Sequence, residues 1–255
     1  MAARVSAASF APARAIALLL AAGSLGWAAL ALAAPGPDRA RSVARAILGG
    51  ERLEGAALMR LAVGLGPAPE GCASASGLRD RLVVTAAAAD AAFGRGAVEA
   101  YDAGLDGTDR LARDLLACRP RDSFAWLSLF WVTSRRDGLG ERAIADLRRS
   151  YLYGPREGWI ALHRSRLALT RYGLLPPDLR ARAVEEYVEL LKARFVPDAA
   201  AILAATAPPV RDLVLANLAD VPLETRKVLA WLLARHEIDA PIPGLSAKPD
   251  RPWRN

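Results

Sequence analysis

The chain has 255 residues, 53% of them hydrophobic and 24% charged, with 34 Lys and Arg against 27 Asp and Glu and a formal net charge of +7. That charge invites a nucleic-acid reading, but the cations form no basic block, and Lys192, Lys227 and Lys248 are the only lysines. Nucleic-acid partners are therefore set aside. Ala, Leu and Arg dominate and only Leu82-Val83-Val84-Thr85 looks strand-like, so the composition predicts an all-α chain.

Residues 15–34 carry no charge and include Ile16, Leu18, Leu19, Leu20, Leu25, Trp27, Leu30 and Leu32. About 20 apolar residues at 1.5 Å each cover the roughly 30 Å core of a bilayer. Arg4 and Arg14 precede the run, which predicts a cytoplasmic N-terminus and an exported remainder beyond Pro35. Ala31-Leu32-Ala33 also supplies a signal-peptidase site, so a soluble periplasmic protein released by cleavage is the alternative. The length of the run favours an uncleaved anchor, and residues 1–37 are assigned to this anchor or signal segment.

A solenoid region is assigned to residues 38–238. Its first helix carries Val43, Ile47 and Leu48 and ends at Gly49-Gly50; a second carries Leu53, Leu58, Leu61 and Leu65. Residues 64–77, rich in Gly, Pro and Ser, read as a loop. Helices are expected near 78–93 and 96–105, followed by a turn at Asp106-Gly107-Thr108-Asp109 and a helix to Cys118. Pro176-Pro177-Asp178 starts an amphipathic helix with Leu179, Ala183, Val184, Tyr187, Val188, Leu191 and Phe195 on one face. Arg182, Glu185, Glu186 and Glu189 fall mostly opposite. Shorter helices are expected at 198–206, 209–218 and 222–236, the last closing the stack. A disordered tail is expected over 239–255.

The central segment carries a spacing of its own. Six residues after Pro120 comes Trp126, then Leu129, then Ala143 and Leu147 as A-x3-L, then Pro155, thirty-five residues after the first proline. This resembles one degenerate tetratricopeptide repeat, a unit of about 34 residues reading W-x2-L-G-x2-Y, A-x3-F and P. Phe130 stands in the glycine slot, Thr133 replaces the aromatic, and the following register places Arg164 in a core slot. The resemblance spans roughly residues 95–195. It implies a right-handed α-α superhelix of helical hairpins whose groove binds rather than catalyses.

Chemistry-bearing motifs are sparse. His163 and His236 lie far apart, and neither H-E-x-x-H, C-x-x-C nor G-x-S-x-G occurs. Neither a catalytic residue, a metal site nor a cofactor is assigned. His163 reads as a packed histidine on an apolar face. Glu185 and Glu186 diverge by about 100° on a helix and cannot face one substrate together. Arg182, four residues before Glu186, points instead to a solvated, ion-paired face. Cys72 and Cys118 both lie in the exported part and permit one disulfide; a loop thiol at Cys72 and a buried one at Cys118 is the other reading.

In the repeat register Trp126 belongs to the core, and Trp131 is turned away from it with Arg135 one turn on. Trp131, Arg135 and Arg166 are therefore the candidate groove residues, with packing of Trp131 on a neighbouring repeat as the competing reading. The layout is similar to that of membrane-anchored bacterial envelope proteins associated with exopolysaccharide biosynthesis. That likeness implies a non-enzymatic scaffold on the periplasmic face of the inner membrane, holding protein partners. The alternative is a periplasmic glycan- or peptide-binding protein.

Overall fold

A computed structural model describes residues 37–245 apart from Arg52, Pro69, Glu70 and Arg156; the run over 15–34 lies outside the described residues. Among the described residues the chain forms eleven α-helices and two 3-10 turns, with no strand, and no helix is long and apolar enough to cross a membrane. The helices are α1 (Pro37–Leu48), α2 (Gly55–Gly64), α3 (Ala75–Gly94), α4 (Val98–Cys118), α5 (Ser123–Arg136) and α6 (Glu141–Tyr153). They continue with α7 (Gly158–Thr170), α8 (Pro177–Lys192), α9 (Val196–Ala204), α10 (Pro208–Ala216) and α11 (Leu223–Ala234).

Several boundaries have local causes. Gly50, at φ +82°, takes the left-handed conformation that stops α1. The Asp122 carboxylate accepts from the Ala125 N–H at 3.0 Å and caps α5. Prolines open α8, α9 and α10, where a missing N–H costs nothing.

The turn expected at residues 106–109 does not form: α4 runs through it unbroken. Its glycines serve packing instead. A Cβ on Gly104 would sit 2.6 Å from that of Ala89, and one on Gly107 would lie 3.1 Å from Cγ2 of Thr85. Two glycines three residues apart, facing Ala89 and Thr85 four residues apart, thus let α4 lie tightly on α3, and the Thr108 hydroxyl donates back to the Gly104 carbonyl. The strand-like Leu82–Thr85 segment is helical within α3, where Leu82, Val83 and Val84 are buried.

Most successive helices pack on one another: α2 on α3, α3 on α4, α4 on α5, α5 on α6, α7 on α8 and α8 on α9. Alternate helices pack as well, α1 on α3, α3 on α5, α5 on α7, α7 on α9 and α9 on α11, so the odd-numbered helices form a continuous row. Within this row α3, α5 and α7 run parallel. Arg79 meets Asp122 and Phe93 meets Arg135 at the two ends of α3 and α5; Phe124 meets Trp159 near the start of α5 and α7, and Trp131 and Leu167 share one apolar cluster further along.

The central helix α5 is buried almost all round, from Ser123 to Thr133 with the exception of Trp126. Here the structure takes the competing reading for Trp131 and leaves Trp126 at the edge of the core. Trp131 is 7% exposed, packed with Ala89, Leu105 and Val132. Trp126 is only half-buried; its indole N–H donates to the Pro120 carbonyl at 2.9 Å and Arg149 stacks 4.6 Å from its ring centre. Leu129, Phe130, Ala143 and Leu147 are all buried.

The start of α3 faces the end of α4, and there Cys72 and Cys118 are joined in a disulfide, S–S 2.10 Å, across 46 residues of sequence. Chain-entropy arguments give a loop of this length about 4 kcal/mol, within the usual ~2–4 kcal/mol range or at its top. Cys72→Ser/Cys118→Ser should therefore lower the urea midpoint by an amount matching about 2–4 kcal/mol. A variant as stable as the oxidised parent would show that the bridge is not formed in solution.

Residues 239–245 also depart from the expected tail. Ile242 is 5% exposed, and the Arg226 guanidinium of α11 donates to the Pro243 carbonyl. Residues 246–255 lie outside the described residues.

Candidate functional site

The odd-helix row carries a cleft of about 360 Å³ formed by the end of α1 with α3, α5 and α7. Its apolar lining includes Val83, Leu127, Trp131 and Leu167, and its polar groups are Glu51, Asp90, Ser128, His163 and Arg166. Parallel packing places one residue from each helix at the same level, which is why side chains from four separate segments converge. Ser128 is spent on its own helix, donating to the Phe124 carbonyl at 2.9 Å. Glu51, Asp90 and Arg166 are exposed at the rim.

His163 is half-buried against Trp159, edge-on with ring centres 6.5 Å apart. Burial, reinforced by the positive charge of Arg166 and opposed by Asp90, lowers its pKa from 6.5 to about 4. The imidazole is therefore neutral at physiological pH and acts as a packed wall of the cleft with hydrogen-bonding capacity.

Of the residues singled out from sequence, the cleft unites Trp131 and Arg166. Trp131 contributes as a buried wall rather than an exposed platform. Arg135 lies outside the cleft and stacks 4.8 Å from the ring centre of Phe93, which is 54% exposed and 5.2 Å from Tyr101.

The other polar concentration is buried. Arg164 on α7 is 0% exposed and Glu186 on α8 is 8% exposed. Arg164 Nε donates to both Glu186 oxygens at 3.0 Å, and its Nη2 also donates to Glu186. The remaining donors reach the Ser150 carbonyl at 2.7 Å, the Ser150 hydroxyl at 3.0 Å and the Gly154 carbonyl at 2.9 Å. The guanidinium carbon lies 4.3 Å from the Tyr151 ring centre. Burial pushes the Glu186 carboxyl up, and the hydrogen bonds and charge of Arg164 pull it back.

This overturns the solvated Arg182–Glu186 face expected from sequence. The signal that could have found it is local: Glu186 falls three residues after Ala183 and four before Leu190, inside the buried stripe. The arrangement binds three helices together and leaves no acid or base facing solvent. Among the described residues, no three His, Cys, Asp or Glu side chains gather into a metal-binding group.

Comparison of the chain with protein-family models, with curated proteins and with solved structures returns no match in any of the three.

Proposed function

We propose that the chain is a non-enzymatic interaction scaffold: an array of degenerate tetratricopeptide-like hairpins, anchored through residues 15–34, that offers its odd-helix row to a protein partner on the periplasmic face of the inner membrane. The observation that carries this reading is the cleft itself, where an apolar lining and a charged rim are assembled from four helices. The Cys72–Cys118 bridge suits an oxidising compartment and so supports export. Cell-envelope polysaccharide assembly is the setting that the sequence likeness implies. Direct glycan capture is the weaker reading, because sugar stacking needs an open aromatic face and Trp131 is buried.

The test is in vivo photo-crosslinking from two positions in the full chain, Asp90 at the cleft rim and Leu152 on α6, which is 68% exposed. Mass spectrometry should identify a discrete envelope protein crosslinked from position 90 and not from position 152. Equal products from both positions, or none from position 90, would refute the groove as the binding surface.

A further inference from the structure

The cleft does not end at its lining residues. One helical turn beyond Asp90, Trp131 and Leu167 stand Phe93 on α3, Arg135 on α5 and Arg171, which caps α7. Arg135 covers the exposed Phe93 ring, and Arg171, half-buried, makes only a 3.4 Å contact with the Leu167 carbonyl. Burial lowers the Arg171 pKa, reinforced by the positive charge of Arg135 and opposed by Tyr101. Both arginines lie at helix C-termini, where a cation is favoured.

Arg79, Arg113, Arg136, Arg148, Arg149 and Arg164 meet carboxylates, whereas other arginines, such as Arg110, Arg142 and Arg182, form no salt bridge among the described residues. Among the described residues no salt bridge involves Arg135, Arg166 or Arg171. The opposite side of the cleft is acidic, with Glu51 after α1 and Asp90 on α3. At the cleft rim charge thus changes sign, from Glu51 and Asp90 on one side to Arg166 on the other, with Arg135 and Arg171 one turn further along.

We propose that the row binds an acidic peptide segment of its partner, placing an apolar side chain in the cleft and carboxylates on Arg135, Arg166 and Arg171. This rests on the scaffold reading and names the chemistry of the partner. A peptide fits better than an acidic polysaccharide because the cleft is walled by Val83, Leu127 and Leu167, which suit an aliphatic or aromatic side chain and offer a sugar few hydrogen bonds. Paired guanidinium groups suit carboxylates, and the edge position of two of them makes the attraction dependent on salt.

The experiment is selection of a random octapeptide display library on the full chain in detergent micelles, run in parallel on the Arg135→Ala/Arg171→Ala variant. The parent should enrich Asp and Glu beside a Leu, Ile or Phe. A labelled peptide from that pool should bind about tenfold more weakly to the variant, with the urea midpoint unchanged. Absence of enrichment, enrichment without acidic residues, or equal enrichment by the variant would overturn the proposal, as would displacement of the peptide by oligogalacturonate at lower concentration than by a second acidic peptide. Retained crosslinking from position 90 alongside any of these results would sink the charge assignment alone; loss of both would sink the scaffold reading as well.

Discussion

Glu186→Ala should cost about 3–5 kcal/mol of folding free energy, the usual penalty for leaving a buried charge without its partner. Arg164 would remain fully enclosed between α6, α7 and α8, with its Nε and one of its Nη2 hydrogen bonds lost. Against a total stability of about 5–15 kcal/mol for a domain, that loss is a large share. Removing both charges is a different experiment. Arg164→Met/Glu186→Leu keeps most of the volume and removes the desolvation of two ions, so the double variant should be more stable than Glu186→Ala alone.

Recovery in the double variant should be incomplete, because the Gly154 carbonyl loses the hydrogen bond from Arg164 and the Ser165 hydroxyl loses Glu186, 3.4 Å away. Urea unfolding at constant m-value decides it. Equal losses in the single and double variants would mean that the charge pair is not what holds this junction.

Trp131→Ala should cost a similar amount, about 3–5 kcal/mol, because a large ring packed between α3, α4 and α7 leaves a cavity that rigid helices cannot close. Trp126→Ala should cost about 1–2 kcal/mol, from a half-exposed ring and one hydrogen bond to a loop carbonyl. The ordering is the informative part. A more damaging Trp126 substitution would restore the repeat register and displace Trp131 from the core. Trp131→Ala also enlarges the cleft, so a stable but binding-deficient variant would separate the wall's role in recognition from its role in packing.

The elements easiest to read were those with strong local signals. The helix after Pro176-Pro177 was legible because proline pre-sets its first turn and its apolar residues recur at helical spacing. The stop at Gly49-Gly50 was legible because few other residues tolerate the left-handed turn. The segment 106–109 misled for the opposite reason. Asp-Gly-Thr-Asp has turn chemistry, but Gly104 and Gly107 are required by Ala89 and Thr85 across the helix pair, and no local pattern reports a contact with another helix.

The cleft was half visible. Trp131 and Arg166 could be singled out one at a time, and their meeting depends on how far α7 is shifted along α5. His163, Asp90 and Glu51 joined them only through the parallel stacking of the row. Arg135, a groove candidate by sequence, lies one turn beyond the cleft, over Phe93.

What the sequence determined by itself was the class of the structure. Helix-forming composition, proline and glycine punctuation and an apolar period near 3.6 commit most of this chain to helices before any tertiary contact forms. What the tertiary structure decided was which face of a doubly apolar helix turns inward. On α5, burial on nearly every side removes the amphipathic signal that would rank Trp126 against Trp131. On α7 and α8 the choice was decided by a charge pair 22 residues apart, since a lone arginine in a core slot costs far more than one facing a carboxylate.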